Sequence, residues 1–354
     1  MTLRHSRIVA TAALAAVTAL ALAACSSGGS AEPSSSASAP AAAGTESAFP
    51  VTVEGMYGDV TVASEPQRVV TLGSREHELL YALGVAPVAI PISWQGYEYG
   101  TGPWAEADRV AAGAEPELFD ATTIDAETIA AFEPDLIVGT YTNITQEEYD
   151  LLSGIAPVIV RGAQYDPWGM PLDAELTLIG EATGTSGPAQ EAIAEIDDAF
   201  ASARAAHPDW EGKTGVVGFY YEGNPGVYLS SDNRNQFLAN LGLDVTALDE
   251  YADSSFVTIS SEKLDLLDTD LVIWQSATTP DVRATIEGLP LFDSIGVTQK
   301  GGNLWIEDTV LEGAFFANSP SSILYSLDAL LPGLEAALDG DPGSDVPVFS
   351  DPSA

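Results

Sequence analysis

Short runs of β-branched apolar residues alternate with longer amphipathic stretches from about residue 49 to 339. The runs "RVVTL" (Arg68 to Leu72), "PVAIPI" (Pro87 to Ile92), "DLIVG" (Asp135 to Gly139) and "PVIV" (Pro157 to Val160) are continuously apolar, not alternating. That pattern belongs to strands covered on both faces, so it predicts an α/β fold with mainly parallel sheets. Thr145-Gln-Glu-Glu148 is a capping box and predicts a helix opening at "QEEYDLLSGIA". A longer stretch, "PAQEAIAEIDDAFASARAAHP", places Ile193, Ile196 and Phe200 at helical spacing among alanines, with no internal Gly or Pro. It predicts one long helix over 188–208. Beyond it "TGVVGFYY" and "DLVIWQ" restart the alternation. The pattern therefore divides the chain into an N-terminal lobe over 49–187, a connecting helix over 188–208 and a C-terminal lobe over 209–339. Residues 340–354 read as a loose tail.

The two lobes resemble each other. "TIDAETIAAFEPDLIVGTY" (Thr123 to Tyr141) and "TISSEKLDLLDTDLVIWQS" (Thr258 to Ser276) align without a gap at an offset of 135. A weaker match pairs "LYALGV" (Leu80 to Val85) with "LANLGL" (Leu238 to Leu243). The strand ends Gly139 to Tyr141 and Trp274 to Ser276 then occupy equivalent places. Open α/β sheets bind ligands beyond the carboxyl ends of their strands. Two such edges turned toward each other make a cleft.

Ahead of the lobes, Arg4 and Arg7 precede an acid-free apolar segment and small residues, the pattern of a secretory leader over 1–24. Its apolar run is short of the ~20 residues that span a bilayer. The leader ends Leu22-Ala23-Ala24-Cys25, and Cys25 is the only cysteine. This ending resembles the lipobox of bacterial lipoproteins, in which the cysteine becomes the lipidated N-terminus. Residues 25–48, rich in Ser, Ala, Gly and Pro, read as the lipidated cysteine and a flexible tether.

Acidity narrows the partners. The chain holds 52 Asp and Glu against 12 Lys and Arg, a formal net charge of −40. Nucleic acid is excluded as a partner, because backbone binding needs clustered cations. A bare transition metal fits poorly too: after the leader there remain His77 and His207 and no His-x-x-His or Glu-x-x-His spacing. No Gly-x-Ser-x-Gly elbow, phosphate loop or dinucleotide fingerprint occurs, so the chain does not read as an enzyme.

The segments "PQRVVTLGSREHELLYALGVAPVAI", "AFEPDLIVGTYTNITQEEYDLLSGIAPVIV", "LIGEATG" and "ISSEKLDLLDTDLVIW" resemble, in order and spacing, the ferric-siderophore substrate-binding lipoproteins of bacterial ABC importers. The resemblance implies two α/β lobes joined by one long helix, with a ligand between them. It implies a monomer on the outer face of the cell membrane, held there through its lipid only. Its partners would be a small ferric chelate, an ABC permease and the permease's ATPase, with no cofactor. A corrinoid or haem receptor of the same transporter class is the alternative; a structural or adhesive lipoprotein belongs to another class.

Candidate ligand contacts come from residues at strand ends. Aromatics with a polar handle suit a bulky chelate, and they gather as Trp94 and Tyr97, Tyr141, Tyr165 and Trp168, then Tyr220, Tyr221, Tyr228 and Trp274. Arg75 and Arg161 come after strands and offer bidentate donors to chelate oxygens. The expected site is Arg75, Trp94, Tyr97, Tyr141, Arg161, Tyr165, Trp168, Tyr220 and Trp274. Arg234 and Arg283 fit helix surfaces and are set aside. The resemblance further implies one acidic docking residue per lobe for the permease. Glu78 matches in the N-lobe; the repeat puts Gln236 opposite it, leaving Asp232 as the nearest acid in the C-lobe.

Overall fold

The computed structural model describes residues 49–93, 96–252 and 254–350. Strands β1 (Val51–Gly55) and β2 (Gly58–Val62) form an antiparallel hairpin. The N-lobe then runs as β3 (Val69–Thr71), α1 (Glu76–Ala82), β4 (Ala89–Pro91), α2 (Glu106–Ala112), β5 (Glu117–Phe119), α3 (Ala126–Ala131), β6 (Leu136–Gly139), α4 (Gln146–Ser153) and β7 (Val158–Val160). Its five strands are all parallel, in the order β5-β4-β3-β6-β7. The predicted capping box is present: Thr145 and Glu148 satisfy each other's backbone N–H at the start of α4.

Helices α5 (Leu172–Thr183) and α6 (Ser186–Ala206) lead out of this lobe. The C-lobe comprises β8 (Gly215–Tyr221), β9 (Asn224–Tyr228), α7 (Asn233–Asn240), β10 (Phe256–Thr258), β11 (Leu271–Gln275), α8 (Val282–Glu287), α9 (Gly296–Gln299), β12 (Asn303–Glu307), α10 (Thr309–Ala317), α11 (Pro320–Ala337) and β13 (Val348–Ser350). Its sheet runs β10-β9-β8-β11-β12-β13, parallel from β8 onward through β11 to β13, with β9 and β10 antiparallel. The chain is thus a mixed α/β protein of two lobes with one long helix between their sheets.

The apolar stripe of α6 explains its place. Ile196, Phe200 and Ala203 are buried, and Phe200 meets Phe237 of α7 edge-on at 5.3 Å, which in turn meets Phe315 of α10 at 5.2 Å. Burying a Phe or Ile side chain contributes about 2 kcal/mol. One apolar cluster therefore runs from Val53 and Leu136 through α5 and α6 to Ile273 and Leu334.

Two repeat signals survive in three dimensions. Leu136 and Leu271, 135 positions apart, open β6 and β11, and each of those strands lies beside the first parallel strand of its sheet. Leu80 and Leu238 are both fully buried on α1 and α7.

The tail needs correcting. Residues 340–350 are not a loose extension: β13 adds an edge strand to β12, with Trp305 opposite Val348. The apolar residues Val346 and Phe349 pack on the core. Gly333 of α11 makes room, since a Cβ there would stand 2.8 Å from the Phe349 ring.

Candidate functional site

The carboxyl ends of both sheets are hollowed. In the C-lobe a depression of about 450 Å³ is walled by Phe219, Tyr220, Tyr221, Tyr228, Arg234 and Phe256, with Gln275, Glu312 and Phe316 completing it. In the N-lobe a depression of about 440 Å³ lies over the ends of β3, β4 and β5, lined by Gly73, Ser74, Ile92 and Asp120 among others. Sites for small ligands fall in this size range. Tyr141, two residues past β6, is buried and lines neither depression; Arg234 and Asp232 of the C-lobe both act on its phenol, as does Arg75 of its own lobe. Burial is the larger influence and pushes the Tyr141 phenol up.

Arg234 organises the C-lobe wall. Its Nε and Nη2 each donate to a different oxygen of Asp232 at 2.8 Å, and its guanidinium lies 3.5 Å over the Tyr228 ring and 5.5 Å from Phe316. Burial works most strongly against this cation, but the charge and hydrogen bonds of Asp232, with the Tyr228 and Tyr141 phenols, together outweigh it and hold the guanidinium above its ordinary range. Phe219 leans on both Tyr228 (4.8 Å) and Phe256 (5.9 Å). The result is an aromatic wall carrying one neutralised cation. The helix-surface reading that set Arg234 aside is overturned, because it is the second residue of α7 and its side chain folds back over β9. Its scarcity in an acidic chain and its closeness to Asp232 were the available signals.

Arg75 is placed at the N-lobe edge but is 1% exposed. It pairs with Glu175, donates to Met170 O at 3.4 Å and stacks 3.8 Å over Tyr141. Glu175 also accepts from Thr140 Oγ1 at 2.6 Å. Beside this pair Glu76 accepts from the Tyr141 N–H at 2.9 Å. Burial, with the nearby Glu175 charge, pushes its carboxyl up to about 7.

Other expected contacts have different roles. Tyr220 lines the C-lobe depression. Trp168 is 49% exposed, and its carbonyl accepts from Asn233 Nδ2 of the C-lobe at 3.2 Å, so it stands where the lobes meet. Tyr97 is half-buried, edge-on to Trp104 at 5.7 Å, in a small apolar cluster with Ala314 and Ala317 of α10. Arg161 is buried and donates to Tyr165 O (3.0 Å) and Thr142 O (3.1 Å), which makes it a brace for two loops. Tyr165 packs against the core beside α5, lining a separate depression with Glu54 and Met170. Trp94 and Cys25 lie outside the described residues.

Trp274 is a correction. It is 0% exposed, stacked on Trp305 at 5.5 Å, and its Nε1 donates to Asn303 Oδ1 at 2.8 Å. Pairing places Trp305 directly opposite it on one side and Gly218 on the other. A Cβ on Gly218 would lie 2.5 Å from the indole, so this glycine exists to seat Trp274 inside the sheet's covering layer. The next residue, Gln275, reaches the depression instead.

Both docking expectations are corrected as well. Glu78 is 3% exposed: its carboxylate accepts from Thr101 Oγ1 at 2.6 Å, from Trp104 Nε1 at 2.9 Å, and from Ser319 Oγ of the C-lobe. Three donors from elsewhere in the fold close over what the sequence presents as a solvated helix face. Asp232 is 7% exposed and caps α7 through the Arg234 N–H at 2.9 Å while pairing with that residue's guanidinium. Neither carboxylate presents itself to a partner.

Among the described residues no three His, Cys, Asp or Glu side chains converge as a metal-ligand set, and no helix is long and apolar enough to cross a membrane. A family model described as periplasmic binding protein matches residues 69–301. Over 223 residues the chain is 27% identical to a Bacillus subtilis protein named probable siderophore-binding lipoprotein YfiY, covering 60% of this chain and 64% of that one. The chain thus spans just under two thirds of that relative's length. A periplasmic solute binding protein from Mycobacterium smegmatis, known by its crystal structure, is 31% identical with a TM-score of 0.69, covering 81% of this chain and 98% of the other. PiaA from Streptococcus pneumoniae, solved in complex with ferrichrome, is 25% identical with a TM-score of 0.71, covering 82% and 99%. With the fold, the long helix and the hollowed strand ends, these likenesses give one conclusion: the chain belongs to the periplasmic binding protein family.

Proposed function

We propose that the chain is a lipid-anchored receptor on the outer face of the membrane that captures a ferric siderophore between its lobes and delivers it to an ABC permease. The observation that carries this reading is the C-lobe wall, where Phe219, Tyr220, Tyr221, Tyr228 and Phe256 surround the paired Arg234. Such a wall offers large, rigid contact area with hydroxyl handles, suited to a globular chelate whose outside is apolar and edged with oxygens. The name of the Bacillus relative and the ferrichrome held by the Streptococcus protein support the same ligand class. The leader ending at Cys25 supports the anchor. Capture and hand-over need no bond-making chemistry, so no enzymatic step is proposed.

Isothermal titration of the mature chain with ferric siderophores, cobalamin and haem tests the reading. Saturable one-to-one binding of a ferric chelate, at Kd below about 1 μM, or about 8 kcal/mol of binding free energy, is the expected result. Binding of cobalamin or haem alone would replace it with the other receptor reading.

A further inference from the structure

The charges on the cleft walls narrow the class of chelate, a selection that rests on the siderophore reading itself. One arginine lines the two depressions: Arg234, tied to Asp232. Arg75 is buried beneath, tied to Glu175 through Nη2 while its Nε and Nη1 have no hydrogen-bond partner. Arg161 is 4% exposed, lines neither depression and gives Nε and Nη1 to two backbone carbonyls. Against these stand carboxyls with no cationic partner. Asp120 lines the N-lobe depression and accepts from Thr122 N and Oγ1 at 2.8 and 2.6 Å. Glu312 lines the C-lobe depression and accepts from Ala277 N at 2.7 Å and Thr278 Oγ1 at 2.9 Å. Glu76 lies beneath, next to Glu175. No lysine or histidine lines either depression among the described residues.

The fixed charges of the walls therefore sum to zero or below, and the molecule around them carries −40. An iron(III) tris-catecholate has three negative charges, whereas an iron(III) trihydroxamate has none. A trianion seated in either depression meets no uncompensated cation among the lining residues, and it loses hydration that the walls do not replace. A neutral chelate loses little and gains the aromatic contact. We infer that the cleft selects a ferric trihydroxamate of zero or single positive charge and rejects polyanionic chelates. Glu312 and Asp120 act as the rejecting elements, since specificity comes from repulsion of the wrong ligand as much as from attraction of the right one. A pendant ammonium on the chelate would find Glu312 as its partner.

The experiment is a calorimetric comparison on the mature chain of three ferric probes: ferrichrome (neutral), ferrioxamine B (one positive charge) and ferric enterobactin (three negative charges). At about 0.15 M salt both hydroxamates should bind at least ~30-fold tighter than the catecholate, and the gap should widen about threefold at roughly 0.02 M salt, where screening is weaker. Glu312→Gln and Asp120→Asn should each narrow the gap by about threefold. Catecholate binding equal to or tighter than hydroxamate binding overturns the charge selection and leaves the siderophore reading standing. A gap unchanged in both variants overturns the role of these carboxyls. Binding of none of the three overturns both the selection and the reading beneath it.

Discussion

In the N-lobe, Asp135 at the foot of β6 accepts from the N–H groups of Gln67 and Arg68 at 2.7 and 2.8 Å. In the C-lobe, Asp270 at the foot of β11 accepts from the Thr214 N–H at 2.9 Å. The two aspartates are 135 positions apart and hold the same neighbouring strand in the same way. The first helices of the lobes differ sharply. Helix α1 follows Arg75 at its N-cap and opens with Glu76, His77 and Glu78, all four buried. Helix α7 opens with Asn233, Arg234, Asn235 and Gln236; Asn235 accepts from the Val217 N–H at 2.8 Å and donates to Tyr228 O at 2.7 Å, and Gln236 is exposed. A shared backbone scaffold thus carries a network of four buried ionisable groups in one lobe and a single ion pair, Asp232 with Arg234, among neutral amides in the other. A buried ion is costly unless paired, while a buried amide needs its hydrogen bonds alone. Sensitivity to substitution and to pH should therefore concentrate in α1.

Three experiments press on that asymmetry. The largest effect is expected from Arg75→Ala, which strands the fully buried Glu175; removing one partner of such a pair costs about 3–5 kcal/mol, read as a lower urea midpoint. A loss below about 1 kcal/mol would show that the N-lobe network is not held by its charges. Glu78→Ala comes next. It removes the acceptor of Thr101, Trp104 and Ser319 and should cost about 3 kcal/mol, whereas Gln236→Ala at the repeat-equivalent place should cost under ~0.5 kcal/mol. Equal losses would erase the contrast between the helices.

The third effect, comparable in size to that of Glu78→Ala, is read through pH and concerns Glu76. Its carboxyl titrates near 4.5 when unperturbed and at about 7 in the folded chain. Between these values the folded protein keeps a proton that the unfolded chain has released. This group's contribution is therefore fully present below pH 4.5 and is lost as pH rises to about 7. The loss is about 3 kcal/mol. His77 acts oppositely: burial holds its imidazole below the ordinary range, so acid removes its share. The difference in stability between wild type and Glu76→Gln isolates the first group. That difference should change from pH 4.5 through about 7 and level off roughly one pH unit beyond; a flat difference throughout would remove Glu76 from the titrating groups.

Local signals carry much of this architecture. The apolar runs, the capping box of α4 and the alanine-rich stripe of α6 each express short-range chemistry, and a sequence displays that directly. Leu136 and Leu271 are legible as equivalents because a strand's entry is fixed by its own pattern. Contacts between distant segments are not legible. Trp274 reads as a strand-end aromatic because nothing nearby reports that Gly218 and Trp305 flank it. Glu78 reads as exposed because its donors lie 23, 26 and 241 positions away. Arg234 escapes for the converse reason: helical spacing gives a face, but not the backward fold of a long side chain over a neighbouring strand. Tyr220, next to last in β8, lines the C-lobe depression by its place in the strand, which needs no such information.

Ser319 caps α11 and also bonds the Glu78 carboxylate, and two positions on, Ser321 bonds Asp108 of α2. Besides the helix that joins them, the lobes are thus riveted at a second place. The hydrogen bond from Asn233 to the Trp168 carbonyl pins them at a third. A frame held at three places resists large rotation of its halves, so a ligand taken up as proposed above would enter by small local shifts, with neither sheet unfolding.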